Sequence, residues 1–262
     1  MKKILFIIDK IELKYFEFNN LVTNFWLIKE FLERGNEVFI TTIPNLSLKR
    51  DIAYTKCFET FTSENNIFYK DSKLEKEIDS FDLVMFRPDP PVDIDYINAT
   101  YIFDFVTKPQ VINSPKAIRD FNEKLHSVHF KDLMTDNIVT ASLEEIEQFL
   151  ALHKQIVLKP LNRCFGSGVM YLYEGDPNTR TIINTMTNNE TTLVMVQEFI
   201  PAVKKGDKRV LTLGDKVLKY CIKKLPTKDD FKFNTHNDNF ITSAELSNEE
   251  IENFTRVAKK LN

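Results

Sequence analysis

The run "KILFII", from Lys3 to Ile8, constrains this chain more than any other stretch. Its apolar residues lack the alternation of a half-solvated strand, which is the pattern of a parallel strand covered on both faces. In "LVTNFWLIKEFLERG", Phe25, Ile28, Phe31 and Leu32 form a helical stripe, and Gly35 is placed to end the helix. "EVFIT" then reads as a second strand. A strand–helix–strand unit at the start predicts an α/β fold with a right-handed crossover.

"DLVMF" predicts another strand, and "RPDPP" ends it, because prolines cannot continue a ladder. That loop is expected to be rigid and exposed. It lies just past a strand's carboxyl end, where open α/β sheets take ligands, and a stiff structural connection is the alternative left open. "INATYIFDFV" reads as a helix, "QVIN" as a short strand, and "NSPKAIRD" as a helix start capped by Ser114 with Pro115 behind it. "SLEEIEQFL" opens with Ser142 and Glu145 in capping-box spacing. "QIVLK", "VMYLY", "TLVMVQEFI", "KRVLTL" and "KVLKYCIKKL" read as later strands, with Gly214-Asp215 fitting a tight hairpin. The second half is therefore expected to be mainly antiparallel, with intervening helices. The boundary falls near residue 120.

Composition narrows the function classes. Hydrophobic residues make up 43%, enough for a substantial core, and charged residues 28% with a net charge of -3. Acids interleave the lysines, so no basic stripe favours a nucleic acid. No apolar run approaches the roughly 20 residues that span a bilayer, and the run in "MKKILFIID" stops at Asp9 without a cleavage-like segment. Cys57, Cys164 and Cys221 have no Cys-x-x-Cys spacing, so neither a disulfide framework nor a zinc site is expected. The cytoplasm is the expected compartment. His126 and His129, three apart on an expected helix, lack further ligands and read as packing or surface groups. No metal-ligating residue is assigned.

The chemistry concentrates in "IVLKPLNRCFGSGVMYLY". Lys159 ends a strand, and the turn Gly166-Ser167-Gly168 follows closely. An ammonium beside exposed N–H groups can neutralise and orient a polyphosphate. A solvated strand-end lysine and an ordinary glycine turn are the alternatives. In "GDKRVL", alternation puts Asp207 and Arg209 on one strand face, suited either to an anion or to an edge-strand salt bridge.

Read in order, "FRPDPP", "NATYIFD", "RDFNEKLHS", "IVLKPL", "YEGDPN", "QEFIPAVKKGDKRVL" and "YCIKKLP" resemble bacterial glutathione synthetase, an ATP-grasp ligase, over nearly the whole chain. The resemblance implies an α/β pre-ATP-grasp domain at residues 1–120. An ATP-grasp domain of two α+β lobes would follow, at 121–200 and 201–262, the last lobe incomplete. It implies that Lys124, Lys159 and the turn Gly166, Ser167 and Gly168 hold ATP phosphates. Glu198, Phe199 and Ile200 would present backbone groups to adenine, with Asp207 also at the nucleotide. Arg209 is the implied catalytic residue, facing the reacting phosphate and acyl group. Arg87, Lys224, Lys232 and Asn234 would meet substrate, the last two from a loop over residues 227–240 that differs in sequence from the family's.

The reaction so implied joins γ-glutamylcysteine to glycine through an acyl phosphate, releasing ADP and phosphate. Mg²⁺ is the family's metal, but the strands expected to carry its ligands lie beyond the helical ending "SNEEIENFTRVAKKLN". Ile251, Phe254, Ala258 and Leu261 share one side of that ending. If unfilled, that side would favour self-association into a homo-oligomer. The second reading is a truncated or degenerate relative that binds nucleotide or peptide without catalysis.

Overall fold

The computed structural model describes residues 1–10, 16, 22–64, 66–164, 166–225 and 241–261. The chain divides into two compact units, residues 1–122 and 123–262.

The first unit is built on β1 (Lys3–Ile8), which lies parallel to β2 (Glu37–Thr42) on one side. On its other side it is parallel to β6 (Leu83–Phe86), which in turn pairs with β7 (Gln110–Ile112). The unbroken apolar run is explained by the two cores that β1 feeds. Leu5 and Ile7 pack with Phe39, Val84 and Phe86 against helix α2 (Ile94–Ile102). Ile4, Phe6 and Ile8 pack with Val38, Ile40 and Met85 against helix α1 (Thr23–Glu33). Gly35, at φ 76°, ends α1 as expected: its N–H donates to Leu32 O, and the Asn36 N–H to Phe31 O.

The sheet also has an antiparallel wing that sequence reading did not assign. β3 (Leu46–Lys49), β4 (Ile52–Ser63) and β5 (Asn66–Glu77) extend it beyond β2. The buried positions of β4 include Thr55 and Thr60, which hide its hydrophobic period. The hydroxyl of Thr55 donates to Thr41 Oγ1 at 2.9 Å, and that of Thr60 to Val38 O at 2.8 Å, so burial leaves neither unsatisfied. Two further expectations need correction. Asp93 caps α2 by accepting from the Tyr96 N–H, so that helix starts earlier than read. Pro88 of the proline loop is buried rather than exposed, its carbonyl accepting from the Tyr96 hydroxyl at 3.2 Å.

Among the described residues of the second unit every strand pairing is antiparallel. Its first sheet runs β10 (Met170–Tyr173), β9 (Gln155–Pro160), β11 (Val194–Glu198), β8 (Asn137–Thr140). One face of it packs on α4 (Leu143–His153) and α5 (Thr179–Met186) through Ile156, Leu158, Leu172, Val194 and Val196. Ser142 caps α4 as expected, accepting from the Glu145 N–H at 3.3 Å. The return bond of the box runs indirectly: Thr140 Oγ1 accepts from the Ser142 N–H and donates to the Glu145 carboxylate.

The expected strand through "KRVLTL" is broken in two. β12 (Asp207–Arg209) pairs with β15 (Tyr220–Lys224), which pairs with β16 (Ile241–Glu245). β13 (Thr212–Leu213) and β14 (Lys216–Val217) form a hairpin whose two-residue loop begins with Gly214 at φ 58°. The final helix, α6 (Asn248–Leu261), has a complete capping box. Ser247 Oγ accepts from the Glu250 N–H, and Glu250 Oε2 from the Ser247 N–H. Of its apolar stripe, Ala258 is buried and Leu261 is exposed. His126 and His129 sit on a 3-10 segment, Leu125–Leu133, rather than on an α-helix.

Candidate nucleotide and substrate site

Register decides which way Lys159 points. It pairs with Met195, and Val157 pairs with Gln197, so these four side chains share one face of the sheet. That face is opposite the one packed on α4 and α5. Lys159 is half-buried there, and its ammonium donates to Gln197 Oε1 at 2.6 Å. Loss of hydration holds its pKa below the ordinary lysine value, and the nearby charge of Lys124 lowers it further. Lys124 donates to Glu123 Oε1 and to the Arg163 carbonyl, each at 2.5 Å. The fold therefore brings the two lysines into mutual repulsion, an arrangement that a polyanion would relieve.

The Arg163 carbonyl ties Lys124 to the glycine turn that follows. Gly166 and Gly168 adopt φ 69° and 72°. A Cβ on Gly168 would come to 3.0 Å from Pro160 Cγ, so the turn closes over the end of β9. The Ser167 N–H donates inward to Cys164 O at 2.9 Å, so it is not among the outward donors expected of this turn. Among the described residues, the Gly166 and Gly168 N–H groups donate to no protein acceptor.

At the far end of β11 the Glu198 N–H donates to Asp136 O and the Phe199 N–H to Gln155 O, both at 3.0 Å. These groups of the expected adenine hinge are thus engaged in the sheet. The Ile200 N–H donates to no acceptor among the described residues. The Phe199 ring meets Tyr171 edge-on at 4.9 Å. Behind the hinge lies His153, at the end of α4, its ring tilted 39° against that of Phe149 with centroids 4.3 Å apart. Its Nε2 is buried without a hydrogen bond, 3.7 Å from Asp136, and its Nδ1 is 4.0 Å from Glu198.

A second group gathers on β12 and β15. Asp207 pairs with Lys224 and Arg209 with Ile222. Partial desolvation raises the Asp207 carboxyl above its usual range, against the opposing pull of Lys224 and Arg209. Lys224 is lowered, chiefly by desolvation and then by Arg209. Gly206 makes this approach possible: at φ 101° its absent Cβ would sit 2.5 Å from Lys224 O. In the first unit, Arg87 follows β6, and its Nε donates to Asn24 Oδ1 at 2.6 Å. Lys232 and Asn234 lie outside the described residues.

Two family models match the chain with this geometry. Residues 2–119 match the prokaryotic glutathione synthetase N-terminal domain, and residues 123–262 the prokaryotic glutathione synthetase ATP-grasp domain. The chain belongs to the prokaryotic glutathione synthetase family. It is 34% identical over 216 residues to the glutathione synthetase of Vibrio parahaemolyticus, an alignment covering 81% of this chain and 68% of that one. With the Neisseria meningitidis serogroup B glutathione synthetase it shares 31% over 242 residues, covering 89% and 75%.

Solved structures agree on the ATP-grasp fold. D-cycloserine synthetase DcsG superposes with a TM-score of 0.65 at 12% identity, covering 98% of this chain and 80% of that one. D-alanyl-alanine synthetase A of Vibrio cholerae gives 0.61 at 12%, covering 99% and 80%. Membership in the glutathione synthetase family makes the chain an ATP-dependent ligase with small-molecule substrates. Among the described residues no helix is long and apolar enough to cross a membrane.

Mg²⁺ is the metal usually implied by an ATP-grasp fold. Among the described residues, no group of three His, Cys, Asp or Glu side chains converges to hold a metal ion. The described side chains therefore do not by themselves make a site for that ion. Sequence reading did not single out Gln197, the Arg163 carbonyl or His153. Gln197 had a usable signal, since antiparallel pairing of "IVLK" with "VMVQ" sets it on the lysine's face. The other two are tertiary contacts with no local pattern.

Proposed function

We propose that the chain joins γ-glutamylcysteine to glycine at the expense of ATP. The observation that carries the reading is the convergence of Lys124 and Lys159 beside the Gly166–Gly168 turn, in a chain of glutathione synthetase family. The dipeptide's cysteinyl carboxylate attacks the γ-phosphorus, and the bond from that phosphorus to the ADP oxygen breaks. The glycine amine then attacks the acyl carbon, the carbon–oxygen bond to phosphate breaks, and the amine proton passes to solvent.

In this reading Lys124, Lys159 and the Gly166 and Gly168 N–H groups hold the phosphates, with Ser167 shaping the turn. Glu198, Phe199 and Ile200 border adenine, with Ile200 offering its N–H. Asp207 orients Arg209, whose guanidinium faces the charge that builds on the transferred phosphoryl group. Lys224 and Arg87 meet carboxylates of the substrates, as do Lys232 and Asn234 from their loop. The domain limits at 120 and 200 belong to the same reading.

Steady-state ADP release with ATP, Mg²⁺, γ-glutamylcysteine and glycine tests it. Release that requires both amino-acid substrates is expected. Release that ignores either one would contradict the assignment, and nucleotide binding with no release would favour the non-catalytic relative.

A further inference from the structure

Arg163 lies between the end of β9 and the Gly166–Gly168 turn, and although the residue is exposed its side chain folds back over that turn. Its Cδ and Nη1 each come to 3.6 Å from the point that a Cβ on Gly168 would occupy. A glycine at 168 therefore leaves room for the guanidinium to lie against the main chain. No carboxylate draws it there. Among the described residues the Arg163 side chain forms no ion pair and donates no hydrogen bond.

The main chain of the same residue is already committed. Its carbonyl accepts from Lys124 Nζ at 2.5 Å, and the charge of Lys124 bears in turn on Lys159. Arg163 thus holds one cation by its carbonyl and adds another with its side chain. Beside it lie the Gly166 and Gly168 N–H groups, which donate to no acceptor among the described residues. Of the charged groups so gathered only Glu123 is acidic, and its carboxylate is engaged by Lys124. Like charges crowded at one turn repel unless an anion arrives. A planar guanidinium can meet two oxygens of a phosphate at once, which an ammonium cannot.

We propose that Arg163 is a further phosphate-binding residue of the nucleotide site, its guanidinium closing on the polyphosphate from the side of the glycine turn. The proposal rests on the nucleotide reading of Lys124 and Lys159 and adds a third side chain to it. Replacing the Arg163 side chain leaves its carbonyl, and with it the anchor of Lys124, in place. An exposed guanidinium keeps much of its water. Its contribution is therefore smaller than that of half-buried Lys159 and more sensitive to salt.

The test is calorimetry with ATP and with adenosine, on the full chain and on Arg163→Gln, which keeps most of the stem and removes the charge. Arg163→Gln should bind ATP about 10-fold more weakly at low salt, the lower end of what a hydrogen bond to a charged group contributes. It should bind adenosine as the unaltered chain does. The gap for ATP should narrow as salt rises toward about 1 M, where screening acts within a few ångströms. Equal ATP affinity in the two chains would overturn the proposal, as would a gap that salt leaves unchanged. An equal loss for ATP and adenosine would overturn it too, because that marks a damaged turn and not a lost phosphate contact. ATP affinity that falls in Lys159→Ala but not in Arg163→Gln would remove Arg163 alone. An unaltered chain that binds no ATP would remove the nucleotide site and Arg163 with it.

Discussion

The ammonium of Lys159 donates to Gln197 Oε1 at 2.6 Å across two neighbouring strands, and this bond aims it along the sheet face opposite the helices. A lysine so placed has lost much of its water and gained only a neutral acceptor. Lys159→Ala should weaken ATP binding by about 1.5–3 kcal/mol, the worth of a hydrogen bond to a charged group. Gln197→Leu should weaken it less, because the charge remains but its aim is lost. Calorimetry showing unchanged affinity in Lys159→Ala would remove this lysine from the nucleotide site.

The same desolvation sets a pH dependence. The folded-state pKa of Lys159 lies below its ordinary value, so its charge is lost earlier than an exposed lysine's as pH rises. A phosphate stabilises the charged form, so nucleotide binding should raise that pKa and take up protons. ATP affinity should therefore fall as pH climbs from neutrality through the depressed value. The groups facing this ammonium are Lys124 and the neutral Gln197, with Glu123 one step away on Lys124. Binding isotherms in buffers of different ionisation enthalpy measure the uptake directly. The pH trend should be much reduced in Lys159→Ala, and a trend of full size there would assign it elsewhere.

Arg209 should act on rate more than on binding. Arg209→Lys keeps the charge but loses the planar fork, and a missing transition-state donor costs about 10²–10³ in kcat. Nucleotide affinity should change little. A variant with normal kcat and poor ATP affinity would make Arg209 a binding group instead.

Gly206 should resist substitution where Gly35 does not. Both have positive φ, but a Cβ on Gly35 meets nothing within 4 Å, whereas on Gly206 it meets Lys224 O at 2.5 Å. Gly206→Ala adds a backbone clash to a conformation that costs other residues about 1–3 kcal/mol. Gly35→Ala should cost only about 1–2 kcal/mol. Denaturant unfolding of both variants checks the order, and equal losses would show that β12 yields easily.

What could be read beforehand was whatever the chain writes locally. β1, α1 and β2 declare themselves because one apolar period serves one element, and the capping boxes at Ser142 and Ser247 are spelled out within four residues. The β3–β5 wing was illegible because Thr55 and Thr60 occupy buried positions, so the strand lacks an apolar alternation. β16 was missed for a related reason: "ITSAE" has little to bury. At the site, Lys159 and its glycine turn stood out as neighbours in sequence. Its link to Lys124 through the Arg163 carbonyl spans 39 residues and leaves no trace in any short window.

The central claim is that ATP activates a carboxylate, and oxygen transfer tests it most directly. γ-Glutamylcysteine labelled with ¹⁸O in its cysteinyl carboxylate would be turned over with ATP, Mg²⁺ and glycine, and the released phosphate analysed by mass. An acyl phosphate passes one carboxylate oxygen to phosphate when the amine displaces it. The account predicts one ¹⁸O in each phosphate formed. Phosphate released without label would show that the chain hydrolyses ATP and does not ligate through an acyl phosphate.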